Sequence, residues 1–150
     1  MQTLLILNGP NLNLLGEREP EIYGSTTLAE AIAAAEEVGR ELGLRVDHMQ
    51  SNHEGELIDR VHAAREDVDG IIINPGGLTH SSVSLRDALA SVEVPVVEVH
   101  LSNLARREDW RRESLISGVA LGTIAGLGPA GYSLAVRALS HYFQSRSTAG

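Results

Sequence analysis

Five short apolar runs, each closed by turn residues and separated from the next by a stretch of helical periodicity, leave this chain few folds to adopt. The runs are TLLIL (3–7), LRVDHM (44–49), GIIIN (70–74), PVVEV (95–99) and VALGTI (119–124). Continuous apolar stretches of this length suit strands covered on both faces. Between them Leu28, Ile32, Ala35, Val38 and Leu42 mark one helix face, and Leu57, Ile58, Val61 and Ala64 a second. Leu85, Ala88, Leu89 and Val92 mark a third. A longer helix comes last, with Tyr132, Ala135, Val136, Leu139 and Phe143 at spacings of three and four.

Start signals agree with this reading, because Thr27 with Glu30 and Ser51 with Glu54 have the spacing of a capping box. Strands alternating with helices imply right-handed crossovers. The expected architecture is a three-layer α/β/α domain around a doubly wound five-stranded parallel sheet, in the flavodoxin-like order 2-1-3-4-5. The pattern fills residues 1–150 as one domain, with no internal repeat, and SRSTAG (145–150) reads as a disordered tail.

In such sheets ligands bind beyond the carboxyl ends of the strands, near the switch in strand order. The connections leaving those ends therefore matter most. After the first strand comes NGPNLNLLGEREPEIYG (8–24), a connection of about 18 residues where about 2–6 are usual, which suggests a lid or binding loop. Pro10, Gly16, Pro20 and Gly24 punctuate it, and Arg18 and Tyr23 sit among its acidic residues. After the third comes NPGGLTHSS (74–82), where Gly76 and Gly77 allow backbone N–H groups to approach an anion and Ser81 or Ser82 can cap the next helix. A plain strand-to-helix turn fits that pattern equally well.

VEVHLS (97–102) is the sharpest signal. The two-residue period of a strand puts Glu98 and His100 on one side, where a carboxylate can fix the imidazole tautomer and raise its basicity. A buried structural pair is the alternative. Beyond it ARREDWRRES (105–114) brings Arg106, Arg107, Arg111 and Arg112 to the same rim, either as a solvated face or as forks for a carboxylate or polyhydroxylated ligand.

Composition removes several kinds of chemistry. All 12 cationic side chains are arginine, so no lysine is present to form an imine or to complete a P-loop. Cysteine is absent too, which excludes thiol catalysis and points to a reducing, cytoplasmic setting. A formal charge of −8 without a basic run argues against nucleic acid or an anionic membrane as partner, and no apolar run is long enough to span a bilayer. The six histidines lack metal-ligand spacing, so no metal site is expected. A receiver-like domain would want an acidic pocket after the first strand, where Asn8 stands. One Trp and three Tyr make a flavin sandwich hard to assemble.

NGPNLNLLGEREPEIYG, QSNHEGELID, IIINPGGLTHSSVSLRDAL, VEVHLSN and AGLGPAGY, taken together, resemble the type II 3-dehydroquinate dehydratases, from residue 4 to about 142. The resemblance implies a hydro-lyase of the shikimate pathway that removes water from 3-dehydroquinate through an enolate, with no metal and no organic cofactor. It also implies a homo-oligomer, usually a dodecamer built as a tetramer of trimers. By position in the matching motifs, Tyr23 resembles the general base and Arg18 the lid cation that activates it. Asn11 resembles the residue that stabilises the enolate, His100 the general acid and Glu98 its orienting partner. Asn74, His80, Leu101, Ser102 and Arg111 match substrate contacts, and Asp87 matches a residue that reaches into a neighbouring subunit's site. Gly77 and Leu78 stand where many members carry Ala-Tyr, and Ala105 and Arg106 where His-Ala is frequent.

The pairing of Arg18 with Tyr23 has a physical rationale. A phenol with a pKa of about 10 is roughly one part in a thousand ionised at neutral pH, a poor base until something shifts it. A neighbouring cation lowers such a pKa by roughly 1–3 units.

Overall fold

The computed structural model describes residues 1–17, 21 and 24–149. Five parallel strands form one sheet: β1 (Thr3–Asn8), β2 (Arg45–Gln50), β3 (Gly70–Asn74), β4 (Val96–His100) and β5 (Gly122–Ala125). Their order is β2-β1-β3-β4-β5, as the alternating pattern predicts. Among the described residues four longer helices connect or succeed them: α1 (Leu28–Glu41), α2 (Glu54–Asp67), α3 (Val83–Ser91) and α4 (Ala130–Ala149).

Alternating side chains of the same strands feed two cores. Leu4, Ile6, Ile72, Val97 and Val99 pack with Ala31, Ile32 and Ala35 of α1 and with Tyr132, Ala135, Val136 and Leu139 of α4. Leu5, Leu7, Ile71, Ile73 and Val96 pack on the other face, with Leu57, Val61 and Ala64 of α2 and Leu85, Ala88 and Leu89 of α3. This double burial is why β1, β3 and β4 read as unbroken apolar runs. Truncating one of these leucines or isoleucines to alanine costs about 2–5 kcal/mol.

Caps set where the helices begin. Thr27 forms its capping box as expected: its hydroxyl accepts from the Glu30 N–H at 3.2 Å, and the Glu30 carboxylate accepts from the Thr27 N–H at 3.1 Å. Ser82 caps α3 by accepting from the Leu85 N–H at 2.9 Å. The second expected box, Ser51 with Glu54, does not form. Ser51 is buried; its hydroxyl accepts from the His53 N–H and donates to Glu56 Oε2 at 2.6 Å, so it closes the turn before α2 and His53 becomes the residue ahead of the helix. The tail expectation is also corrected. α4 continues through 145–149, a stretch without glycine or proline in which the Arg146 guanidinium lies over the Tyr142 ring, 5.1 Å from its centroid. β5 begins three residues later than the apolar run suggests, because Ser117–Val119 forms a 3-10 turn.

The topology switches direction between β1 and β3. Their carboxyl ends, Asn8 and Asn74, are paired in register and both buried. The connection after β1 is tied to the one after β3: Gly9 donates its N–H to the Asn74 carbonyl at 2.8 Å, and a Cβ on Gly9 would meet the Pro75 carbonyl oxygen at 2.3 Å.

Candidate active site

A cleft of about 750 Å³, counting its open mouth, lies at this switch point. One wall comes from the connection after β1, with Pro10, Asn11 and the apolar side chains of Leu12, Leu14 and Leu15; the opposite rim carries Leu104, Arg107 and Arg111. Asn74, Gly76, Gly77 and His80 come from the end of β3 and the turn beyond it, while His100, Leu101 and Ser102 come from the end of β4. Eight of the sequence-derived positions, Asn11, Asn74, His80, His100, Leu101, Ser102 and Arg111 at the cleft and Glu98 directly behind it, thus come together. Arg18 and Tyr23 fall outside the described residues. Asp87 sits exposed on α3 and does not line the cleft.

Glu98 and His100 lie at the end of β4, 0% and 5% exposed. The His100 Nε2 group hydrogen-bonds Glu98 Oε2, which places the proton on Nε2 and leaves Nδ1 as the ring's remaining nitrogen. Ser114 donates to the same oxygen at 2.8 Å, and Ser117 donates to Oε1 at 2.7 Å. Burial works to raise the Glu98 carboxyl. Hydrogen bonds from His100 and Ser117, the charge of His100 and the Ser114 bond outweigh it, so the group lies below its ordinary value and stays ionised. An imidazole braced against a fixed carboxylate is suited to proton transfer.

Asn11 has φ 71°, the left-handed region, alone among the described non-glycine residues. Its N–H donates to Asn52 Oδ1 at 2.9 Å, and Gln50 Nε2 donates to the same oxygen at 3.1 Å and to the Gly9 carbonyl at 3.2 Å. The end of β2 therefore grips the connection after β1. Gly76 does not offer a free N–H to an anion: it donates to Asn74 Oδ1 at 3.2 Å.

On the opposite rim the arginine run divides. Arg107 and Arg111 are half-buried and line the cleft, whereas Arg106 and Arg112 are set apart from it, Arg106 exposed and Arg112 beyond the lining. Arg107 Nη1 donates to Ser102 Oγ at 3.4 Å. The Arg111 guanidinium lies over Trp110, 4.3 Å from the ring centroid, and Trp110 meets His80 edge-on at 5.7 Å. His80 Nδ1 donates to the Glu113 carbonyl at 2.8 Å, since a carbonyl can only accept, so its Nε2 is the nitrogen available to a ligand.

The order of these side chains along the sequence matches a known pattern. Residues 2–140 match the family described as dehydroquinase class II. The chain belongs to that family. Among class II dehydroquinases and their curated relatives, a 3-dehydroquinate dehydratase from Herminiimonas arsenicoxydans is 61% identical over 90% of this chain and 94% of its own. A catabolic 3-dehydroquinase from Aspergillus oryzae is 52% identical, covering 97% of this chain and 95% of its own. The crystal structure of type II dehydroquinase from Propionibacterium acnes superposes with a TM-score of 0.91 at 44% identity, over 94% of this chain and 97% of that one.

Several residues at this class II dehydroquinase cleft carry no local signal in the sequence. Ser114, Ser117, Trp110, Asn52 and Gln50 hold or flank the side chains that line it. QSN (50–52) lies within one of the motifs that carry the family resemblance, and Trp110 and Ser114 lie within the arginine run; Ser117 has no pointer of either kind.

Proposed function

We propose that this chain is a 3-dehydroquinate dehydratase, removing water from 3-dehydroquinate to give 3-dehydroshikimate in the shikimate pathway. The observation that carries the reading is the braced His100–Glu98 pair at the edge of a cleft ringed by Asn11, Asn74, His80, Ser102 and Arg111, in a member of the dehydroquinase family. A small polyhydroxylated ketone with a carboxylate suits that lining of amides, hydroxyl and guanidinium.

Tyr23 takes the proton from C2 beside the ketone, its phenol made a stronger acid by the Arg18 cation. The electron pair moves onto the carbonyl oxygen as an enolate, which Asn11 helps to hold. Its collapse forms the C1–C2 double bond and expels the C1 hydroxyl, which His100 protonates so that it leaves as water. Glu98 keeps the imidazolium oriented. His80, Leu101, Ser102 and Arg111 bind the substrate, Ser102 and the backbone at Leu101 taking its carboxylate; Asn74 binds the ring.

Asp87 acts in a neighbouring subunit's site. Its exposure on α3, outside this chain's own cleft, supports that placement and with it the trimer-based dodecamer. A cytoplasmic setting is supported by the absence of cysteine. Among the described residues no helix is long and apolar enough to cross a membrane.

The test is direct. Mixed with 3-dehydroquinate, with and without a chelator, the protein should generate the ultraviolet absorbance of a conjugated enone at equal rates. No absorbance change under either condition would sink the proposal.

A further inference from the structure

Tyr132, in the first turn of α4, is fully buried, and its hydroxyl joins the asparagines that end β1 and β3. Tyr132 donates to Asn8 Oδ1, Asn74 Nδ2 donates to the Tyr132 oxygen at 3.1 Å, and the Gly76 N–H donates to Asn74 Oδ1 at 3.2 Å. The direction of this chain is fixed from one end. A backbone N–H can only donate, so Asn74 must turn Oδ1 to Gly76 and Nδ2 to the phenol. The phenol accepts there, and its own proton goes to Asn8. Burial, opposed only in part by the Asn74 hydrogen bond, holds Tyr132 well above its ordinary value, so that proton stays in place.

The arrangement has a visible cost. With Oδ1 facing the phenol, Asn8 Nδ2 is buried without a hydrogen-bond partner among the described residues. A phenylalanine at 132 with an apolar residue at 8 would avoid both the orphan donor and the buried hydroxyl. What the pair achieves in exchange is one orientation of the Asn74 amide, on a residue that lines the cleft.

We propose that Tyr132 is a positioning residue that holds the polarity of the ligand site: with Oδ1 directed by the Gly76 N–H, the phenol accepts from Nδ2 and locks Asn74 so that the remaining Nδ2 hydrogen, and not Oδ1, is offered to the bound molecule. Asn74 then recognises an acceptor oxygen, a hydroxyl, carbonyl or carboxylate, and discriminates against an amine or amide donor at that point. The inference rests on the reading of the cleft as a site for an oxygen-rich cyclic ketone. AGLGPAGY, the motif that carries Tyr132, thereby acquires a role.

Two measurements on the full-length assembled protein decide it. In steady-state kinetics with 3-dehydroquinate, Tyr132→Phe should raise KM about five- to tenfold with kcat within about twofold, as loss of one ground-state hydrogen bond does. Asn74→Ala should raise KM at least as much, and the double variant should be no worse than Asn74→Ala alone, because the phenol acts only through that amide. Additive penalties would overturn the proposal. In ligand-free protein labelled with 15N-asparagine, the side-chain amide signal lost in Asn74→Ala should exchange slowly in the unaltered chain and rapidly in Tyr132→Phe. Asn8→Ala, which frees the phenol to turn, should loosen the same signal by a second route. Equal exchange in the unaltered chain and either folded variant would overturn the proposal. If the unaltered chain does not turn over 3-dehydroquinate, the functional reading fails while the exchange experiment still decides the role of Tyr132.

Discussion

Ser117 donates its hydroxyl to Glu98 Oε1 at 2.7 Å, reaching the carboxylate from a 3-10 turn 19 residues further along the chain. His100 and Ser114 occupy Oε2, so both oxygens of a fully buried carboxylate are bonded. The His100–Glu98 pair is thus braced by a segment just beyond the arginine run that carries Arg111.

Acid stability should report this bracing. Because the folded-state pKa of Glu98 lies below its ordinary 4.5, its contribution to stability is fully present above that value and is lost as pH falls through the folded pKa. Ser117→Ala removes a bond that favours the ionised form, so the folded pKa rises, the contribution becomes smaller and its loss is complete at higher pH. Thermal unfolding midpoints of the two proteins, tracked from about pH 6 down to about pH 3, should be furthest apart near pH 6 and converge below the ordinary carboxylate range. Parallel curves would mean that the Ser117 bond contributes nothing to the ionisation of Glu98.

Asn52 should matter through a single acceptor atom. Its Oδ1 receives the Asn11 N–H and helps to hold that residue in the left-handed region. Asn52→Ala should lower kcat/KM about tenfold, whereas Asn52→Asp, which keeps an acceptor in place, should recover most of it. Equal impairment of the two variants would break the link between the β2 end and Asn11.

How far the sequence discloses all this depends on the distance over which each feature is encoded. β1 and β3 are legible because every residue of GIIIN and nearly every residue of TLLIL is buried, so periodicity and burial coincide. Glu98 and His100 are legible because a strand's two-residue period brings them together locally. Ser51 misleads, since a serine three residues before a glutamate matches a capping box although the hydroxyl turns to Glu56 instead. Ser114 and Ser117 lie 16 and 19 residues from Glu98, and Tyr132 lies 58 from Asn74. Such contacts exist only once the sheet has closed, and no local pattern announces them. The displaced start of β5 has the same origin, because Val119, read as its first residue, ends the 3-10 turn that carries Ser117 to Glu98.

Gly9 is predicted to be irreplaceable on steric grounds. An added Cβ would meet the Pro75 carbonyl oxygen at 2.3 Å and its carbon at 2.6 Å, both backbone atoms, so the two connections that form the cleft would have to separate. Gly9→Ala should destabilise the fold by about 1–3 kcal/mol or more and depress kcat/KM as well. Gly55→Ala is the matched control. It lies in α2 with no atom within 4 Å of the added carbon, and the gain in helix propensity should raise stability by about 0.5–1 kcal/mol. Chemical denaturation of the three proteins measures the contrast, and a Gly9→Ala protein as stable as the unaltered chain would contradict it.

The division of labour between Tyr23 and His100 can be separated by isotope exchange. If Tyr23 removes the C2 proton and His100 only assists departure of the hydroxyl, enolate formation remains possible without the imidazole. His100→Ala should then lose about 10²–10⁴ in dehydration rate yet still exchange the C2 hydrogen of 3-dehydroquinate with deuterium from solvent. Tyr23→Phe should lose dehydration and exchange together, since the proton never leaves. The fold should survive in His100→Ala, because Ser114 and Ser117 still satisfy both Glu98 oxygens, although the carboxylate loses one hydrogen-bonding partner. Proton NMR of the substrate in deuterium oxide gives the exchange rate, and absorbance gives the dehydration rate in the same sample. Exchange abolished by His100→Ala but retained by Tyr23→Phe would reverse the assignment, making the imidazole braced by Glu98 the base and leaving the phenol to protonate the departing hydroxyl.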